Sequence, residues 1–120
     1  MQRALIIKKR WLDLILLGEK TIEIRGSNSR IRGKIGLIES KSGLIMGSCN
    51  IVDSILVNEN NLDYVLKHSC IQTVENLKKF YKSQYAWKLE DATKFKSPIK
   101  YSHPKGAVIW VDLSKQNLIF

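Results

Sequence analysis

Apolar and polar positions change period several times along the chain, and each change marks an element. Ala4–Ile7 is a short all-apolar run and predicts a buried strand, closed by Lys8, Lys9 and Arg10. Trp11–Leu17 is apolar nearly all round and ends at Gly18, the residue that most readily takes the left-handed helix stop. That pattern predicts a short, buried helix. Thr21–Arg25 alternates, with Ile22 and Ile24 on one face and Thr21, Glu23 and Arg25 on the other. Gly26–Gly33 is a polar loop bracketed by glycines, expected to be mobile. Lys34–Ser40 predicts a strand, Lys41–Gly43 a hairpin turn, and Leu44 to about Val57 a long strand. Gly47 inside that strand marks a bulge or a close approach by another group.

Asn58–Asn61 is turn and cap chemistry, followed by Leu62, Val65 and Leu66 at helical spacing. Thr73 opens a second helical pattern, with Leu77, Phe80 and Tyr81 on one side and Lys78, Lys79 and Lys82 on the other. Tyr85–Leu89 reads as a strand, Lys94–Lys105 as a basic loop holding Pro98 and Pro104, and Ala107–Val111 as the last strand, with Trp110 in the core. The order β-α-β-β-β-α-α-β-β does not alternate as a doubly wound parallel sheet does. It predicts an α+β fold: a small, mostly antiparallel β-barrel with capping helices. At 120 residues the chain makes a single domain, 1–120.

Composition excludes some classes. With 44% hydrophobic and 26% charged residues, the chain is not disordered along its length. No apolar run approaches the ~18 residues of a membrane span, and no signal-peptide core is visible. A cytoplasmic protein with no membrane partner is expected. Cys49 and Cys70 stand far apart without a C-x-x-C, and His68 and His103 are the only histidines. Two reduced thiols, no metal and no cofactor are expected.

Charge changes the picture most. The net charge is +9, with a pI near 9.7. Residues 1–34 carry +6, residues 35–75 carry −3, residues 76–105 carry +6, and the remainder is neutral. Two basic segments brought to one face make a positive groove for a phosphate chain. Lysines solvating an ordinary surface are the alternative, and the segregation of charge favours polyanion binding.

Gly18, Lys20, Thr21, Glu23 and Arg25 spell G-x-K-T-x-E-x-R in a strand that follows a helix. With the whole stretch Ala4–Arg25, with Arg32-Gly33 before a strand ending at Ser40, and with Ile45–Asp53, Tyr85–Leu89 and the closing strand at Trp110, this motif resembles the ASCH domains of the PUA-like barrels over nearly the entire chain. The resemblance implies a β-barrel with a cleft beside the motif strand, and nucleic acid, above all RNA, as the partner. It also implies that some small bacterial members are enzymes, amidohydrolases acting on acylated cytidine or ribonucleases. The amidohydrolases carry Thr at the position of Glu23, so the expected hydroxyl nucleophile is missing here.

The candidate nucleic-acid-binding residues are Lys8, Arg10, Lys20, Glu23, Arg25, Arg30, Arg32, Ser40, Tyr85 and Trp87. Arg25 offers a planar fork of donors suited to phosphate or base recognition. Glu23 can orient Arg25 or accept a base amino group. Lys8 and Arg10 form a basic cluster, Tyr85 and Trp87 share a strand face where they either stack a base or belong to the core, and Trp11 reads as core. Lys78, Lys79 and Lys82 read as a phosphate track beside a cleft. The favoured reading is a module for single-stranded RNA. The alternative is a small metal-independent hydrolase acting on RNA or a modified nucleoside, with Lys20 or Glu23 as catalytic base, Arg25 serving the phosphate and His68 as a fallback acid or base. Truncating Lys20 and Arg25 together is expected to weaken binding and leave the melting temperature nearly unchanged.

Overall fold

The computed structural model describes residues 1–78 and 83–120. Lys79, Phe80, Tyr81 and Lys82, expected to continue a helix, lie outside the described residues. The elements are β1 (Arg3–Ile7), α1 (Lys9–Leu16), β2 (Ile22–Arg25), β3 (Gly33–Glu39), β4 (Leu44–Leu56), α2 (Leu62–Ser69), α3 (Val74–Lys78), β5 (Tyr85–Lys100) and β6 (Trp110–Asp112). The strands form one mixed six-stranded sheet in the order β2-β5-β4-β3-β1-β6. β1 and β3 run parallel, and every other pair is antiparallel.

The sheet curls into a half-barrel rather than a closed one. Trp87 on β5 stacks on Trp110 of β6 across the inside, with ring centroids 5.9 Å apart, although the two strands stand far apart in the sheet order. The same curl brings edge strand β2 to β1, where a side chain and not a strand ladder makes the connection: Arg25 Nη2 donates to the Ile6 carbonyl at 2.9 Å.

β1 is buried on both faces. Leu5 and Ile7 join Leu12 and Ile15 of α1 and Leu37 of β3, while Ala4 and Ile6 join Ile38, Ile45 and Val111. An all-apolar strand is what such a position requires. On β2 the alternation divides the roles as expected. Ile22 and Ile24 pack under α2 and α3 against Val65, Ile71 and Leu77, and Glu23 and Arg25 point the other way. Among the described residues no helix is long and apolar enough to cross a membrane.

Several sequence expectations need correction. α1 starts at Lys9, where Lys9 pairs with Asp13 one turn on at 2.7 Å, and it is not buried all round. Leu17 is 72% exposed, because a helix lying on a sheet hides one stripe and Leu12 and Ile15 occupy it. β5 continues to Lys100 instead of ending near Leu89, since polar residues on a strand with one solvated face look like loop in sequence. Pro98 is accommodated because residues 95–98 bulge out opposite Met46 alone, leaving the missing N–H without a ladder partner to lose. The closing strand starts at Trp110, and Val108 and Ile109 are exposed. The Gly26–Gly33 loop is pinned: Ser29 is buried, its N–H donates to Ser54 Oγ at 3.2 Å, and Ser27 O accepts the Trp87 indole N–H at 3.0 Å.

Gly47 shows why a strand keeps a glycine. β4 slips register beside it, and a Cβ there would lie 2.3 Å from Thr93 O and 2.7 Å from Leu16 Cδ2. Because the nearer obstacle is backbone, relaxation has to move β5. Gly47→Ala should lose about 1–3 kcal/mol, the ordinary cost of overpacking. Urea unfolding measures this, and an unchanged midpoint would show that β5 yields freely.

Candidate functional site

The site grows from the end of α1. Gly18, at φ +82, lets the chain turn back, and Glu19 N and Lys20 N both donate to Leu14 O. Lys20 is thereby held beneath the end of α2. Its Nζ donates to Ser69 O at 2.6 Å, and Thr21 N donates to His68 O at 2.9 Å. α2 ends there because Cys70 takes the left-handed conformation, φ 61. A cation at exposed C-terminal carbonyls opposes the negative end of the helix dipole. The Lys-Thr pair of the motif thus caps α2.

Glu23 stands between two cations. Its Oε1 lies 3.6 Å from Lys20 Nζ, and its Oε2 accepts Arg25 Nε at 2.9 Å with Arg25 Nη2 at 2.8 Å. Lys20 and Glu23 are 2% and 5% exposed. The chain of contacts therefore runs from α2 through Lys20, Glu23 and Arg25 to the β1 backbone. Lys20 Nζ also sits 4.7 Å from the Trp11 ring centroid, and Arg10 lies over the same indole at 4.3 Å.

These side chains open into a cleft of about 210 Å³. Its polar lining is Lys8, Lys20, Glu23, Arg25 and Ser40. Its apolar lining is Ile6, Ile24 and Ile71, with Trp11 and Val108. Three cations face one carboxylate, so the cleft is positive. Lys8 is exposed and has no ion pair among the described residues. Beneath, burial together with the Glu23 carboxylate pushes the Cys49 thiol up to about 12, which keeps it protonated.

Five of the ten residues singled out in the sequence line this cleft: Lys8, Lys20, Glu23, Arg25 and Ser40. Arg10 lies next to it, in a groove that shares Trp11 and Ile71. The other four lie elsewhere. Arg30 and Arg32 line a separate groove with Arg3 and Lys34, and Arg32 is engaged by Ser29 O, Ile31 O and Asp53. Trp87 is 2% exposed, so it is a core residue and cannot stack an incoming base. Tyr85, level with Arg25 in the β2–β5 register, packs against the same core. Sequence alternation placed Tyr85 and Trp87 on one face correctly, but that face looks into the half-barrel. His68 is half-buried beside Thr21 at 3.4 Å and does not line the cleft. Lys78 is exposed on α3, and Lys79 and Lys82 lie outside the described residues.

Trp11 reads as core and does pack against two core clusters, but it is half-buried and also borders the cleft. The signal for the cleft is local, since Lys8 and Arg10 stand just before it at the helix start. Val108 and Ile71 carry no sequence signal of this kind. The expectation that Lys20 and Arg25 can be truncated without loss of stability is also corrected. Each satisfies a backbone carbonyl and the Glu23 carboxylate in a buried setting, and removing one member of such a cluster typically costs ~3–5 kcal/mol.

Burial pushes the Lys20 ammonium below its ordinary 10.5, and Glu23 opposes this only in part. A cation whose pKa is lower folded than unfolded destabilises the fold while it is protonated. That penalty is released as pH rises from the folded value toward 10.5. The stability of the wild type, measured relative to Lys20→Met, should therefore increase on going to alkaline pH. Paired denaturant titrations across that range check it, and a difference that stays flat or decreases would contradict the assignment.

Comparison with known proteins bears on the same elements. The ASCH domain family matches residues 5–99. The crystal structure of ASCH from Zymomonas mobilis superposes with a TM-score of 0.71 at 14% identity, covering 94% of this chain and 87% of that one. Two mutant forms of the Zymomonas mobilis protein give TM-scores of 0.72 and 0.69 at 14% and 15% identity, covering 94% of this chain and 90% and 88% of theirs. At such identity the likeness shows the fold. No curated protein matches the chain. With the family match spanning most of its length and the same curled sheet present in solved ASCH structures, this chain belongs to the ASCH domain family.

Proposed function

We propose that this domain binds single-stranded RNA and seats one unstacked nucleotide in the cleft. The observation that carries the reading is the buried Lys20–Glu23–Arg25 cluster opening into a small positive cleft. At about 210 Å³ the space is below the ~300–1,000 Å³ of pockets for drug-sized ligands, and suits a single base or ribose. Filling so small a space with a base requires the base to be unstacked, as in single-strand recognition. Glu23, fixed from both sides by cations, presents a carboxylate that can accept a base amino group, and fixed acceptors discriminate better than mobile ones. Lys8 lines the cleft at an exposed position and suits a phosphate, and the Trp11 ring, with Arg10 over it, borders the same space.

Metal-independent hydrolysis of RNA or of a modified nucleoside is a second reading, and one observation favours it. The lowered Lys20 pKa is the property a lysine base needs. Arg25, the residue meant to serve the phosphate, is however held by Glu23 and by Ile6 O. Binding accounts for the cluster without asking Arg25 to let go.

Fluorescence anisotropy of a labelled single-stranded RNA tests the binding reading. With about five phosphates neutralised, log affinity should fall with log salt at a slope near −3.5. Lys8→Ala, at an exposed position, should flatten the slope by about 0.7 and leave the melting temperature unchanged. The corresponding duplex should bind more weakly than the single strand. Absence of binding at low salt, or an affinity indifferent to salt, would defeat the reading.

A further inference from the structure

Beside the cleft lies a groove of about 450 Å³ whose chemistry the reading above leaves unused. Ile6, Ser40 and Val108 line both, so the two form one continuous trough. Its far wall is Tyr101 and His103, and Lys41 stands at its rim.

The two rings are fixed in place. Tyr101 Oη lies 2.7 Å from His103 Nδ1, and His103 Nε2 lies 2.9 Å from the Ala107 carbonyl. A carbonyl can only accept, so Nε2 carries a proton, and in the neutral ring Nδ1 then accepts from the tyrosine hydroxyl. The ring planes are inclined at 60° with centroids 5.7 Å apart. The segment bearing them is clamped by Gln116, whose side chain accepts from Ser102 N at 2.8 Å and donates to Ser102 O at 2.7 Å. Fixing the rings in advance lowers the entropy lost when a planar ligand settles against them.

The cations have a matching arrangement. Lys8 lines the cleft and Lys41 the groove, with Ser40 common to both. Both lysines are exposed, and neither has an ion pair among the described residues. Lys41 sits in the β3–β4 turn in the left-handed conformation, φ 67, directly after Ser40, which lines both spaces. A hydroxyl flanked by two cations between two planar-ligand spaces has the chemistry of a phosphodiester seat.

We infer that the Tyr101–His103 groove is a second nucleotide subsite, holding the residue adjacent in the strand to the one in the cleft, with the linking phosphate over Ser40 between Lys8 and Lys41. This assignment rests on the single-stranded RNA reading of the cleft. It adds that recognition extends over at least a dinucleotide step across the β3–β4 turn.

The test uses the full chain, a fluorescein-labelled random RNA hexamer pool, and the four ribonucleoside 3′-monophosphates. His103→Ala should weaken hexamer binding on the order of tenfold, the usual effect of losing one stacking contact, and leave monophosphate binding unchanged. His103 is exposed, and a second measurement on the wild type needs no variant at all. The chain has only two histidines, so the imidazole resonances of His103 and His68 can be followed together. The hexamer should shift His103, the monophosphates should not, and His68 should stay still throughout. Hexamer binding that leaves the His103 resonance unmoved, or a His103→Ala affinity within twofold of wild type, overturns the subsite and spares the cleft. Movement of His103 by a monophosphate alone makes the groove the primary site and overturns the assignment too. If the wild type binds neither probe, the cleft reading falls together with the subsite.

Discussion

One carboxylate organises this molecule. Glu23 is buried between Lys20 and Arg25, and each cation reaches on to a backbone carbonyl of another element, Ser69 at the end of α2 and Ile6 in β1. At an effective dielectric of about 20, ion pairs at these distances attract by roughly 5 kcal/mol each, and desolvation takes back several kcal/mol per ion. The two effects nearly cancel, so the cluster adds little net stability. What it supplies is position. It ties β2 to β1 where the curled sheet makes no ladder, and it holds α2 over Ile22 and Ile24. Take out the carboxylate and two cations are left facing each other in a dry place.

The cleft is a consequence of that arrangement. Closing the barrel fully would pair the two edge strands, β2 and β6, and draw this open side shut. Here side chains span it, and space remains above them for a ligand. The half-barrel is stiff elsewhere. β1 is buried on both faces, Trp87 and Trp110 stack across the interior, and the long β4–β5 pair stays laddered through register shifts between Ile45 and Gly47, Ser48 and Asn50, and Ile51 and Asp53. Charged groups can be kept in a strained electrostatic setting only where the surrounding structure is this firmly specified.

Much of this was legible in the sequence, and the failures share a cause. The alternation in Ile22–Arg25, the stop at Gly18 and the close approach at Gly47 each express a local rule that tertiary structure did not override. The element order followed from the apolar and polar runs along the chain, and the curled sheet from that order. The cleft members on β2 and at the ends of β1 and β3 were legible because motif, strand period and charge agreed there. Trp87 was misread because period 2 says which residues share a face and not whether that face meets solvent or the inside of a barrel. Trp11 does pack on the core as its spacing to Ile15 suggests, and its further position at the cleft is hidden by that apolar neighbourhood. Arg30 and Arg32 were grouped with the site on charge alone, and charge carries no geometry. Tyr101 and His103 do lie in a loop, as the sequence predicts, and what orders it, Gln116 at Ser102, stands fourteen residues further along the chain.

The central claim is that Glu23 and Arg25 act as one unit, and a double-mutant cycle tests it most directly. Glu23→Gln, Arg25→Met and the double variant would be compared with the wild type by denaturant unfolding. If the carboxylate and the guanidinium together hold β2 to β1, the two substitutions should be strongly non-additive, with a coupling of about 1–3 kcal/mol and the double variant little worse than either single one. Effects that add to within about 0.5 kcal/mol would mean that the two side chains act independently, and the account of the seam would be wrong.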